Sequence, residues 1–337
     1  MPYISATIVL VNYNTSEHVR TCLAALEAQT QRQAIVVVDN ASTDGQIGLL
    51  HREFPQVRFI PLRRNVGFAR AVNIVAHHKA TNTEVLVTLN PDTVPRPDFV
   101  EALLDPLSNP SVSAVAGTLV FASDPDVIAS AGVDVYRTGL ALDARLGQPL
   151  ATSTLPAEVF GPSGGAAAYR LDAFRQVGGF CDAFFLYLED VDLAWRLRLC
   201  GHHSIWTPDA VATHAYSAAA GEGSTLKRRL LARNRVWTIA RCLPDVIWRR
   251  DRAAILAFDA KAVAWAAAHR DMALLRGRAE GIARLPPRLC ERRAIQRAAC
   301  VSPAELMRWI QPALADRELL ALRDLTRRYA VQERALP

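Results

Sequence analysis

An α/β fold with a mostly parallel sheet flanked by helices is what the sequence predicts, from three observations. Short, continuously apolar runs recur through the first 120 residues, helical stretches alternate with them, and each of the first four runs ends in a turn of Asn, Asp, Gly or Tyr. Continuously apolar strands are those buried on both faces, as parallel strands covered by helices are.

Taken in order, Ala6–Val11 is the first buried strand, and Ser16 can cap a helix that carries Val19, Leu23 and Leu26. Ile35–Val38 and Val57–Ile60 are the second and third strands, and Phe68–His78 has helical character. Val85–Leu89 is the fourth strand; Pro97–Leu107 begins a helix with proline near its first turn, and Val112–Val120 is the fifth strand. Ala166–Tyr169 follows a glycine turn as another strand, and Glu189 opens a helix continuing through Leu193 and Leu197. From about residue 225 the pattern turns helical. Leu226, Leu230, Trp237 and Leu243 fall on helical spacing, and Ile255–His269 is apolar but interrupted by Asp259 and Lys261. Ser302-Pro303-Ala304-Glu305 reads as a capping box, and Leu319, Leu322, Leu325 and Tyr329 form a stripe.

A chain of 337 residues is long enough for about two domains. The division expected is an α/β domain over 1–224, in two halves to about 120 and over 121–224, then a helical region over 225–337. No window holds 18 uninterrupted apolar residues, and the start lacks a basic leader, so a cytoplasmic protein is expected. The six cysteines are scattered with no Cys-x-x-Cys, which encodes neither a zinc knuckle nor a redox pair. The net charge of +6 is split: residues 1–225 carry −7 and residues 226–337 carry +13. Such a basic block suits an anionic partner, or simply a solvated helical surface.

In open α/β sheets ligands sit at the carboxyl ends of the strands. Those ends deliver Asn12-Tyr13-Asn14, Asp39 through Gly45, Asn65-Val66-Gly67-Phe68 and Asn90-Pro91-Asp92 to one rim. Any one of these could be a plain turn. A dinucleotide-binding Gly-x-Gly-x-x-Gly and a P-loop are both absent after the first strand.

These residues in this order, together with Ser163-Gly164-Gly165-Ala166, Phe185 through Leu193 and an Arg-Asn pair at 233–234, resemble the inverting glycosyltransferases of family 2, which have the GT-A fold. The likeness spans about residues 5–240 and is greatest to the rhamnosyltransferase-like branch. It implies a nucleotide-sugar donor bound by Val11, Tyr13, Asn14, Asp39, Asn65, Gly67, Phe68 and Asn90, with the base near Asp39. A carboxylate there accepts the imide N–H of uracil or thymine, so a UDP- or dTDP-sugar is expected, dTDP-rhamnose first. The leaving diphosphate needs its charge neutralised. The resemblance implies a divalent cation, Mg²⁺ or Mn²⁺, with Asp92 and His214 as ligands, and Arg233 near the diphosphate. Where many GT-A enzymes have Asp-x-Asp, this chain has Asn90-Pro91-Asp92, which leaves one certain carboxylate.

The acceptor hydroxyl needs a general base, and the resemblance makes it Asp190. Glu189 would contact the acceptor or donor sugar, with Gly164 and Gly165 lining that pocket. Acidic residues are also ordinary helix-start residues, the plain reading of Asp192. The implied acceptor is a glycan or lipid-linked saccharide in cell-surface polysaccharide synthesis. Arginines with Trp237, Trp248, Trp265 and Trp309 suit peripheral contact with an anionic membrane at its inner face. A sugar nucleotidyltransferase would need a Gly-rich, Arg-containing loop after the first strand, and Asn12-Tyr13-Asn14 is not one. A nucleic-acid-binding protein would leave Glu189-Asp190 and Asn90-Pro91-Asp92 unexplained, so no nucleic acid is expected.

Overall fold

In a computed structural model of the protein, residues 3–79, 81–152, 155–215 and 224–333 are described. The first half runs β1 (Ala6–Asn12), α1 (Ser16–Glu27), β2 (Ala34–Asp39), α2 (Ile47–Glu53), β3 (Arg58–Pro61), α3 (Phe68–Ala76), β4 (Val85–Leu89), β5 (Thr93–Pro95), α4 (Phe99–Leu104), β6 (Val112–Phe121), β7 (Asp124–Ser130), β8 (Val133–Tyr136) and β9 (Ala141–Asp143). It continues through β10 (Ala157–Glu158), β11 (Ala166–Arg170), α5 (Leu171–Gln176), α6 (Glu189–Leu199) and β12 (His203–His214). The helical part is α7 (Thr225–Cys242), α8 (Asp245–Ala268), α9 (Met272–Ala283), α10 (Leu285–Ala298) and α11 (Pro303–Met307), then β13 (Ile310–Gln311) and α12 (Asp316–Glu333).

The main sheet has the order β10-β12-β6-β11-β4-β1-β2-β3. β3, β2, β1 and β4 are parallel, β11 runs antiparallel between β4 and β6, and β12 lies parallel to β6. The expected mostly parallel sheet is present. Ile8 and Leu10 face one apolar layer with Leu23, Val87 and Phe99, while Val9 and Val11 face the other with Val72, Phe174 and Leu193. Burial on both faces is why β1 reads as an unbroken apolar run.

Two local expectations change. Ser16 is the first helical residue, not the cap; Thr15 holds the cap position, and Asn12 Oδ1 accepts its N–H at 3.2 Å. The helix expected over 97–107 is α-helical over Phe99–Leu104 and tightens to a 3₁₀ turn over Asp105–Ser108, where Pro106 lacks the N–H an α-helix would use. The capping position at Ser302 is as expected, its Oγ accepting the Glu305 N–H at 3.2 Å.

The helices after residue 224 share a core with the preceding sheet. Val133, Phe160, Val191 and Trp195 pack with Cys242, Ile247, Ile255 and Leu306. β13 pairs with β8, and Tyr329 stacks on Phe121 with centroids 3.8 Å apart. Many arginines of the basic block are internal struts. Arg235 and Arg278 both pair with Asp259, and Arg292 pairs with Asp245. Of the four tryptophans grouped as a membrane-facing set, Trp237 is buried and donates to the Gly281 carbonyl, Trp248 and Trp309 are half-buried, and Trp265 alone is exposed.

Candidate active site

The ends of β1 and β2 are joined by one buried amide. Asn12 Nδ2 donates to Asp39 Oδ1 at 3.0 Å and to the Ser16 and Ser42 hydroxyls at 3.2 Å. Asp39 is thereby fixed at the rim, 4% exposed, its Oδ2 also accepting the Ser42 N–H. Asn14 sits in the left-handed region and caps the facing turn, its Oδ1 accepting the Thr43 N–H at 2.6 Å. Val11 lies buried at the strand end, and Tyr13 projects exposed beside it. Asn40 ties the second turn to the third, with Nδ2 donating to Asn65 Oδ1 and Oδ1 accepting the Val66 N–H. Asn12 and Asn40 organise this rim. Both lie inside turns singled out from the sequence, but their side chains point between the turns, which spacing does not reveal.

Gly67 has φ +82°, and a Cβ there would collide with the Phe185 carbonyl oxygen. A side chain at 67 would therefore push away the loop that leads into α6. Phe68 follows and packs on Phe180.

On the other side of the cleft, Asn90 donates its N–H to the Gly165 carbonyl at 2.9 Å, and a Cβ on Gly165 would press on the Asn90 amide. Gly164 donates its N–H to Asp190 Oδ2 at 2.9 Å. β12 returns antiparallel to β5, pairing His214 with Thr93, so that His214 Nε2 stands 3.3 Å from Asp92 Oδ1 and 3.4 Å from Asn90 Nδ2. Burial would raise Asp92, but the His214 charge and bond, with His18 farther off, hold it below its ordinary value. Burial works against the His214 proton, yet Asp92 raises His214 overall. Tyr216, next in this segment, lies outside the described residues.

Asp190 sits in the first turn of α6. Besides Gly164, its own neighbour Val191 donates an N–H to it, at 2.8 Å. Burial raises Asp190 above an ordinary carboxylate despite those two bonds. Glu189 is raised much further, first by burial and then by the Asp190 charge, and its Oε2 is buried without a hydrogen-bond partner. Asp143 on β9, which no sequence motif marked, belongs to the same electrostatic group. Burial pushes it up to about 6, and the charges of Asp190, Lys227 and His214 all act on it.

Two residues differ from their expected places. Asp192 does not cap α6. It is fully buried, receives Arg196 Nε at 2.8 Å, and pairs with Arg241 Nε at 3.3 Å. Arg233, expected at the diphosphate, lies beneath the loop before α6. Its NH2 donates to the Phe184 carbonyl at 2.7 Å, its Nε to Asn234 Oδ1, and its guanidinium stacks on Trp237. Asn234 Nδ2 donates to the carbonyls of Phe184, Leu186 and Tyr187. In that loop Phe185, Tyr187 and Leu188 all have positive φ, a conformation costing about 1–2 kcal/mol per non-glycine residue. Asn234 and Arg233 thus hold a strained loop that aims Glu189 and Asp190. Asn234→Ala is expected to destabilise the protein by about 1–3 kcal/mol through unsatisfied buried carbonyls. It should also lower turnover more than donor affinity, as denaturation and steady-state kinetics would show.

A strand-end rim of Asn and Asp, a carboxylate–histidine pair and a buried carboxylate at a helix start thus gather at the ends of the parallel strands, where ligands of such sheets bind. Residues 7–178 match the model of glycosyl transferase family 2, and the chain belongs to that family. It is 31% identical over 238 residues to the N-acetylglucosaminyl-diphospho-decaprenol L-rhamnosyltransferase of Mycobacterium tuberculosis, covering 64% of this chain and 77% of that protein. Among solved structures, it superposes with a TM-score of 0.54 on the mannosyltransferase PcManGT from Pyrobaculum calidifontis in complex with GDP-Man and Mn²⁺, at 19% identity and covering 98% and 86% of the two chains. With GalNAc-T7 bound to UDP, GalNAc and Mn²⁺ the TM-score is 0.58 at 17% identity, over 71% of this chain and about half, 48%, of that one. The GT-A fold expected from the sequence is the fold of the protein, and the protein is a glycosyltransferase.

Proposed function

We propose that the protein transfers a hexosyl group with inversion from a dTDP- or UDP-sugar, dTDP-rhamnose first, to a hydroxyl of a glycan or lipid-linked saccharide in cell-surface polysaccharide synthesis. The observation that carries this reading is the placement of Asp190. Two backbone N–H groups fix its carboxylate beside Gly164, on a different element from the Asn90–Asp92 turn. Each carboxylate oxygen keeps a lone pair beyond its N–H bond, so Asp190 can take the acceptor's proton while the donor is held from the other side. Val11, Tyr13, Asn14, Asp39, Asn65, Gly67 and Phe68 form the donor rim in this reading. Gly164, Gly165 and Glu189 face the sugars, and the catalytic domain is residues 1–224. Arg233 serves it through the loop.

The residues at 92 and 214 fit a divalent cation. Asp92 Oδ1 and His214 Nε2, 3.3 Å apart, would hold it, with His214 in its neutral form. No group of three His, Cys, Asp or Glu is assembled among the described residues. The remaining ligands of a bound ion would come from the donor phosphates and water. Mg²⁺ or Mn²⁺, when bound there, would neutralise charge on the leaving diphosphate.

A thermal-shift panel of nucleotide sugars with and without Mg²⁺ or Mn²⁺ tests the donor and the cation together. A ligand at about 100 times its dissociation constant adds roughly 2.7 kcal/mol. The dTDP- or UDP-sugars should give the large shift, and Asp92→Ala should remove its cation dependence, His214→Ala more mildly. A preference for GDP-sugars, or transfer untouched by EDTA, would reject those assignments.

Peripheral contact with an anionic membrane belongs to the same proposal. No helix among the described residues is long and apolar enough to cross a membrane. α8 exposes Val246, Leu256 and Val263, and Arg249, Arg252 and Arg276 are exposed around it. Sedimentation with anionic vesicles should exceed that with neutral ones and weaken with salt, as the Debye length shortens to about 8 Å at physiological strength. Equal sedimentation would reject the contact.

A further inference from the structure

Beside the candidate active site lies an apolar cavity of about 340 Å³, walled by β8 and β9, the start of α6, and α7, α8 and α9. Leu142, Leu188, Val191, Ile239, Ile255 and Phe258 give it its character. Its volume is in the range of small-ligand sites, about 300–1,000 Å³. Protein interiors otherwise pack at the density of organic crystals, so an apolar space of this size is a place for an occupant.

Four arginines also line the cavity, and each is paired with a carboxylate. Arg137 pairs with Asp251, Arg228 with Asp271, and Arg235 and Arg278 share Asp259. Three carboxylates hold these four arginines, and the surface left to the cavity is mostly hydrocarbon. Its position is equally specific. Leu188 and Val191 immediately flank Glu189 and Asp190, and Leu142 precedes Asp143, whose carboxyl feels the Asp190 charge. The cavity lining and Asp190 thus share the first turn of α6, so an acceptor whose hydroxyl reaches Asp190 has this apolar space on the adjoining face of the same helix. α8 separates the cavity from the surface, one side contributing Ile255 and Phe258 to the lining and the other exposing Val246, Leu256 and Val263.

We infer that this cavity binds the hydrocarbon chain of the acceptor, so that the substrate is a saccharide carried on an aliphatic lipid, its first carbons enclosed between α6, α7 and α8. This rests on the acceptor-side reading of Asp190 and adds to it a second, chain-reading subsite.

The test compares N-acetylglucosaminyl diphosphate esterified with a farnesyl chain or with a methyl group. The expected result is a KM lower by about tenfold or more for the farnesyl ester, the gain from burying roughly two methylene groups or more. Ala262→Phe, which narrows the cavity from α8 away from the base, should raise the KM of the farnesyl ester by a similar factor. It should leave the methyl ester and donor hydrolysis unchanged. A farnesyl chain ending in a diazirine should label peptides of α6 and α8 in the unsubstituted protein, which needs no folded variant. Equal KM values for the two esters, or labelling spread over the outer surface, would overturn the cavity assignment while sugar transfer persisted. Donor hydrolysis with no transfer to either ester, together with no labelling of α6 and α8, would overturn the acceptor reading and the cavity with it.

Discussion

Asp190→Asn is expected to cut turnover by about 10²–10⁴-fold while donor affinity stays close to that of the parent protein. Asparagine keeps the size and one acceptor oxygen, but cannot take the proton of an attacking hydroxyl. It also turns an NH₂ toward one of the two backbone N–H groups that Asp190 accepts. A stability loss of about 1 kcal/mol should therefore accompany the kinetic one, and the midpoint of unfolding must be measured beside the rate. The pH dependence has a definite sign. A base works deprotonated, so turnover should rise with pH through an apparent pKa above the ordinary aspartate range, as burial of the 189–190 pair dictates. Stability runs the other way. The folded state holds these protons more tightly than the unfolded chain, so their contribution is present at acid pH and lost as pH rises through the raised values. Near-normal turnover for Asp190→Asn, or a product of retained anomeric configuration, would reject Asp190 as the base of an inverting transfer.

Asp192→Ala is expected to cost about 3–5 kcal/mol of stability, the penalty for leaving buried charge without its partner. Arg196 and Arg241, both under a tenth exposed, converge on this carboxylate. Urea unfolding should show a lower midpoint with an unchanged slope. Asp192→Leu combined with Arg196→Met and Arg241→Met should lose less than the single changes together, because the charges leave as a set. A loss below about 1 kcal/mol for Asp192→Ala would mean the cluster is no more than a surface-grade ion pair.

The contrast between Asp190 and Asp192 shows what the sequence could carry. The parallel strands were legible because burial on both faces leaves an unbroken apolar run, as in β1, β4 and β6. The rim was legible because strand ends in such a sheet point at the ligand. β7 and β10 were not, being half-exposed edge pieces without an unbroken apolar run. Asp192 could be read as a helix-start acid because the residue that gives it another purpose, Arg241, lies on α7. Arg233 looked like an anion ligand for the same reason: its partners are backbone carbonyls, which no side-chain pattern announces. Asp143 sits in a stretch with no periodicity at all, and its proximity to the site comes from the small sheet β13-β8-β9.

The loop over Phe184–Leu188 has a consequence for how such proteins can be recombined. Its shape is dictated from α7, so the residues that lead into Asp190 and the helix that holds them form one inheritable block that spans the join between β12 and α7. A chimera joined between β12 and α7 would take a loop from one parent and its clamp from another, and the mismatch would appear as a displaced Asp190 in an otherwise folded protein. Exchange of acceptor preference between relatives is expected to succeed when the crossover lies before this loop, carrying α6 through α8 together, and to fail when it lies between β12 and α7.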